Sequence, residues 1–266
     1  MKLEKIDDMD KRLPDQGKYH RDWHKKMDKP HLNILKNILC MLCLYSLING
    51  CAEQDSSYFP LKEGYEWHYN IHASTVGGSE QQKYYLSSLG SQLINDDTTY
   101  IQRSLTGTQI LFRHSDIGIE RVAYLVAKGP QVDLIEDKHL ILPNKLEEGM
   151  EWESIVSTRT LRNGKPGDVG VNQLRAKVPV KNRIDSINAV IKVPAGKFEH
   201  CIKIDTSGFA FNSGNNRIGR TLVEIKESKW FAPGVGLIKS VLTETSTNDA
   251  FAKGEIIMEL ESFTKP

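Results

Sequence analysis

The sequence predicts an all-β domain: a mostly antiparallel, strongly curved sheet of about a dozen strands, rolled into a half-barrel, barrel or sandwich. A signal-peptide helix and a disordered N-terminal tail are expected to precede it. Three observations carry this expectation. From Tyr58 onward no ten-residue stretch shows a helical period. Short runs rich in Val, Ile, Thr, Tyr and Phe recur instead, with turn residues every 8–12 positions. Consecutive runs are joined by hairpin-type turns, which forces antiparallel pairing. So many strands exceed what one flat open sheet carries, so the sheet must curl.

The N-terminal residues come first. Residues 1–26 mix Asp7, Asp8, Asp10, Asp15 and Asp22 among Lys and Arg. Signal n-regions are short and poor in acids. This stretch therefore reads as a start-site artefact or disordered extension, with Met27 the better start; a genuine cytoplasmic extension is the alternative. Ile38–Ile48 is uncharged and mostly apolar, about 16 Å long as a helix at 1.5 Å per residue. That is half of a hydrocarbon core of about 30 Å. With Lys29 and Lys36 before it and a polar run after it, Met27–Gly50 has the parts of a secretory signal peptide.

Leu47-Ile48-Asn49-Gly50-Cys51 resembles the lipobox of bacterial lipoproteins. Ile48 and Gly50 match the usual pattern and Asn49 departs from it. The resemblance implies that Cys51 becomes the first mature residue, carries the lipid, and begins a tether over residues 51–57. Several acyl chains hold a protein on a membrane durably, at about 0.8 kcal/mol per buried CH₂. By the sorting rule of that family, the resemblance further implies that Ala52, rather than Asp, directs the chain to the outer membrane with the domain facing the periplasm. The competing reading is a short buried helix with a structural Cys51, but such a helix needs polar residues at helical spacing and this run has none.

The strands of residues 58–266 follow in order. Trp67–Ile71 is a strand whose Trp67, Tyr69 and Ile71 face inward, and Gly77-Gly78 turns it back. Thr108–Phe112 and Ile117–Val126 are apolar on both faces, as central strands are. Glu151–Leu161 is separated by Asn163-Gly164 from a strand after Val169. Phe198, His200, Ile202 and Ile204 alternate with charged residues, as do Val223 and Ile225. Ser213–Asn216 closes a hairpin, and Ala232-Pro233-Gly234 has Pro and Gly where a type II turn wants them. Ile256, Met258 and Leu260 form the last alternating set. Phe59–Trp67 resembles Leu142–Trp152, each a Pro, a charged turn, Gly and Trp before a strand, which suggests two related lobes, 58–141 and 142–266, in one sheet.

Composition excludes some functions. Lys+Arg 35 against Asp+Glu 34 leaves no basic field to displace phosphate counterions, so no nucleic-acid partner is expected. Cys40 and Cys43 fall in the signal and Cys51 is taken by lipid, so Cys201 stands alone in the mature chain and is expected to be sheltered. His68 and His72 would lie about 13 Å apart on a strand, too far for one metal. Asn95-Asp96-Asp97 lacks the spacing of a calcium loop and reads as a solvated hairpin tip. No metal or other cofactor is expected, and no nucleophile elbow, Walker loop or zinc-protease motif marks a catalytic residue. Tyr84, Tyr85, Tyr100, Tyr124, Trp152, Trp230 and Phe231 either fill the core or line a cavity.

Three blocks, Tyr58-Phe59-Pro60-Leu61-Lys62-Glu63-Gly64 with Trp67, Val193–Phe198 with Cys201, and Trp230–Lys239, together resemble a family of uncharacterised bacterial lipoproteins. The resemblance implies an all-β domain outside the cytoplasm and brings no catalytic residues. The leading expectation is a membrane-anchored envelope lipoprotein that binds or carries a hydrophobic ligand. The alternatives are a structural lipoprotein docked on an envelope protein complex, and a hydrolase with a dispersed site.

Overall fold

The computed structural model describes residues 56–128, 131–212 and 220–266. The expected tail (1–26), the signal peptide (27–50), Cys51 and the 213–216 turn lie outside them. Twelve strands form one sheet: β1 (Glu66–Thr75), β2 (Gly78–Ile94), β3 (Asp97–Ser104), β4 (Gln109–His114), β5 (Gly118–Lys128), β6 (Gln131–Pro143), β7 (Glu151–Ser157), β8 (Lys177–Val193), β9 (Gly196–Asn212), β10 (Thr221–Ala232), β11 (Gly236–Ser246) and β12 (Lys253–Thr264). The helical element among the described residues is a single 3₁₀ turn, Asp249–Phe251.

The order is β6-β5-β4-β3-β2-β1-β12-β11-β10-β9-β8-β7, with every pairing antiparallel. The chain walks to one edge, crosses by the 144–150 loop, and returns from the other. The sheet rolls into a nearly closed barrel whose seam lies between β6 and β7, the two strands that have one partner each. Leu142 of β6 packs with Ile184, Ile202, Ile204 and Phe231 from β8, β9 and β10, so apolar burial draws the far edges together.

The turns obey local chemistry. Asn95 (φ 51) and Asp96 (φ 64) form a two-residue left-handed tip between β2 and β3, the solvated hairpin expected from their sequence. Pro233 and Gly234 (φ 67) sit centrally in a turn closed by Val235 N–H donating to the Ala232 carbonyl at 3.2 Å, the type II arrangement.

Two readings need correction. His200 does not share the inward face of Phe198 and Ile202: it has φ 54, is exposed, and lets Cys201 and Ile202 both point inward. A β-bulge breaks the period of two, and sequence alternation cannot register it. The strand expected over Glu151–Leu161 stops at Ser157. Residues 158–176 instead leave the sheet, with one bridge between Arg162 and Gln173. Leu161 and Leu174, 0% and 1% exposed, are buried against Val178, Val223, Ile225 and Leu242 as a plug, not as strand residues. Burying both contributes about 3–6 kcal/mol. The plug reaches across to the β1–β2 turn, where the Thr75 hydroxyl donates to the Gly164 carbonyl at 2.6 Å.

Residues 57–65 close the opposite end. Phe59 lies 5.0 Å from the Phe112 ring and 6.5 Å from Phe231. Gly234 N–H donates to the Ser57 carbonyl, and Ser88 Oγ to that of Leu61. Beside it the β8–β9 hairpin bends at successive register shifts and folds inward, with Ala195 N–H donating to the Leu260 carbonyl. Val193, Ile191, Ala195 and Phe198 thereby cover Trp67, Ile238 and Leu260.

Candidate functional site

Between the apolar plug zone and the Phe59 zone the inner face of the sheet turns polar. On β10 the inward residues run Val223, Ile225, Glu227, Lys229, Phe231: two apolar, two charged, one apolar. Across the ladder, Thr206 of β9 lies beside Glu227 and Ser240 of β11 beside Lys229. The opposite wall contributes Arg121 and Tyr124 of β5 and Asp137 and His139 of β6, with Arg121 paired to His139 in register.

The belt is organised around two carboxylates. Glu227, with a side chain 9% exposed, pairs with Lys229 Nζ at 2.7 Å and Arg159 at 3.4 Å and accepts from Ser240 Oγ at 2.9 Å. Burial alone would raise its pKa, but the two cations and the bonds from Lys229 and Ser240 outweigh it and hold the carboxyl at about 2. Asp137 pairs with Arg121, whose guanidinium lies 4.9 Å over the Tyr124 ring. Tyr69, Tyr84 and Tyr124 form a row within electrostatic reach of one another, and burial raises all three phenols.

His139 links the walls. Its pKa is lowered to about 4, first by burial and then by Arg121 of its own wall and Lys229 of the other, against the pull of Asp137 and Glu227. The folded protein thus keeps His139 neutral where the unfolded chain, near 6.5, protonates. Stability from this histidine is complete above pH 6.5 and is lost as pH falls toward 4. Replacing His139 by Phe should flatten the fall in unfolding free energy between about pH 6.5 and 4. Urea midpoints measured across that range check it, and a slope equal to the wild type would contradict it.

Two donors in this region are buried without an acceptor: Arg121 Nε on β5 and the Trp152 indole N–H on β7. Each orphaned donor costs about 1–3 kcal/mol; Trp152 lies on the edge strand β7, and Arg121 on β5, one strand in from the edge strand β6. Three cations and two carboxylates meet here, so the belt suits a molecule that accepts hydrogen bonds or carries negative charge. As chemistry it offers recognition. Ser240 donates its hydroxyl to Glu227.

The residues singled out from sequence distribute unevenly. Tyr84, Tyr124, Trp152 and Phe231 face inward, and Tyr85 and Trp230 face outward, Tyr85 against His68 at 4.6 Å and Trp230 beneath Lys203. Trp67 and Tyr69 are buried at 2% and 3%, leaving His68 and His72 on the outer face as expected. Cys201 is fully buried, and burial pushes its thiol up to about 11. Arg121, Asp137, Arg159, Glu227 and Lys229 carried no sequence signal beyond one: Glu227 and Lys229 interrupt an alternation by putting charge at its inward positions. Two open grooves lie among the described residues, about 460 Å³ beside Phe59 and Tyr100 and about 610 Å³ beside Thr158 and Arg175.

Residues 123–248 match the DUF3108-like family model, a stretch that includes the belt from Tyr124 to Ser240 and leaves Arg121 just outside. A candidate exported protein with a YmcC-like fold from Bacteroides fragilis is 15% identical, with 79% of this chain and 100% of that one aligned and a TM-score of 0.39. A candidate lipoprotein from Parabacteroides distasonis is 13% identical over 79% of this chain and 99% of that one, with a TM-score of 0.41. Likenesses at these scores fix neither fold nor function. No curated protein matches the chain.

Proposed function

We propose that this protein is a lipoprotein of the bacterial cell envelope, anchored through lipid on Cys51 in the outer membrane and facing the periplasm. Its rolled sheet is a binding module for a hydrophobic envelope molecule with a polar or anionic head. The charged belt carries this reading. Buried ion pairs seldom add stability over apolar residues of equal volume, and here they stand beside two orphaned donors. A head group that accepts hydrogen bonds answers Arg121 and Trp152. The apolar zones of the interior are filled by the protein's own side chains. The apolar part of the ligand therefore lies along the seam, against Ile135 and Trp152.

Native mass spectrometry of the membrane-extracted protein in mild detergent tests this. A non-covalent adduct of defined mass is expected, and Arg121→Met should lose it while keeping the wild-type circular dichroism. No adduct, or one that Arg121→Met retains in full, would sink the belt as a binding site.

A second reading has its own observation. On the outer face Ile155 of β7, Pro179 of β8 and Phe209 of β9 lie in one row across an unpaired edge, with Ile155 66% and Phe209 63% exposed. Phe211 continues the patch under Arg220, with Arg175 and Lys177 beside it. This basic, apolar edge suits an acidic envelope protein. In-cell photocrosslinking from position 209 should recover one discrete partner band, and recovery of none counts against docking.

A further inference from the structure

The end of the barrel nearest the expected anchor carries a surface that fits a bilayer. The described chain begins at Ser56, and five residues from Cys51 span at most about 18 Å. Ser57 is fixed to Gly234, and the Tyr58 hydroxyl donates to the His200 carbonyl at 2.8 Å, at the base of the folded-over β8–β9 hairpin. An acylated Cys51 therefore keeps this end, and not the plug end, close to the membrane. One face of the hairpin covers the core. The other exposes Ile187 at 41% and Val190 at 58%, with Lys192 and Lys197 around them. On the core-covering side, Phe198 lies 6.2 Å from the Phe263 ring.

Two of the carboxylates close by are paired with lysines. Glu199 pairs with Lys197, Asp185 with Lys203, and Glu148 accepts from Ile187 N–H. Apolar side chains ringed by lysines are the composition that settles at a headgroup boundary, where the stems lie in the apolar layer and the ammonium groups reach lipid phosphates. Nothing comparable follows for the exposed Val169 of the plug, which the tether holds away.

We propose that the outer face of the β8–β9 hairpin rests on the bilayer that receives the Cys51 lipid, with Ile187 and Val190 in the headgroup region and Lys192 against phosphates. This inference rests on the acylation of Cys51. The contact sets the orientation of the barrel on the membrane and turns the plug end and its loops toward the periplasm.

The test uses the full acylated protein in phosphatidylethanolamine–phosphatidylglycerol vesicles. Val190→Cys and, as control, Val169→Cys each receive a bimane label; Cys201 is buried and its thiol pushed up, so it does not compete. Headgroup-depth nitroxide lipids should quench the label at 190 at least threefold more than at 169, and Lys192→Glu should cut that difference. Equal quenching on a protein whose intact mass shows acylation overturns the membrane contact and leaves the anchor standing. An unacylated mass overturns the anchor, and the contact with it.

Discussion

Replacing Glu244 by Ala is expected to lower the unfolding free energy by about 2–5 kcal/mol, since it strands two buried amide donors. Glu244 is fully buried on β11, and among the described residues no lysine or arginine forms an ion pair with it. Its oxygens instead accept from the Arg159 and Thr160 amides, at 2.9 and 2.7 Å, and from the Thr160 hydroxyl at 2.7 Å. These bonds fasten the start of the plug to the sheet, and Thr160 in turn lies so close to Gly254 that a Cβ there would fall 2.2 Å from its hydroxyl. Alanine strands two amide donors in the interior and removes charge-assisted bonds of about 1.5–3 kcal/mol each, which do not add in full. Glutamine should cost less, about 2 kcal/mol, since one oxygen still accepts. Urea unfolding measures both. Amide exchange at Leu174, which donates to the Leu161 carbonyl, should speed up first. A loss under about 1 kcal/mol for Glu244→Ala would mean that the plug holds by apolar burial alone.

The second large effect belongs to Glu227. Its carboxyl is held at about 2 in the folded protein, against roughly 4.3 unfolded. The sign follows directly: the unfolded chain takes up the proton first, so this stability is present above pH 4.3 and is lost as pH falls toward 2. It amounts to about 3 kcal/mol at neutral pH, and Glu227→Ala should lose about that much, since half-buried Lys229 loses its partner. Arg159, 56% exposed, can swing to water. Replacing Glu227 and Lys229 together by Leu should therefore return stability to within about 1 kcal/mol of wild type. A double variant no better than Glu227→Ala would show that the belt is needed for folding, and would weaken its reading as a binding site.

Much of the strand order was legible because local chemistry and global fold agree. Val223 and Ile225 alternate with Glu224 and Lys226, and they lie in β10 with the apolar pair inward. Asn95-Asp96 and Pro233-Gly234 supply the dihedrals their turns require. What failed was non-local. A bulge at His200 costs no visible change of residue type, so alternation runs through it unnoticed. Leu161 and Leu174 look like strand residues because burial, not strand pairing, selects them; the turn-rich Asn163–Gly167 between them was the one sign that the chain leaves the sheet. The belt was illegible for a different reason. Arg121, Asp137, His139 and Glu227 come from strands at opposite sides of the sheet order, and only its rolling brings them within reach. The inward charges of β10 were the available signal.

The most direct measurement on the central claim is the intact mass of the protein extracted from membranes of an expressing Gram-negative host, beside a Cys51→Ala control. The expected mass begins at Cys51 and carries acyl chains, and the control should remain unacylated and leave the membrane fraction. A chain beginning at Met1 without lipid would contradict the account: the barrel would then have no anchor, and the belt and the β8–β9 surface would need another setting.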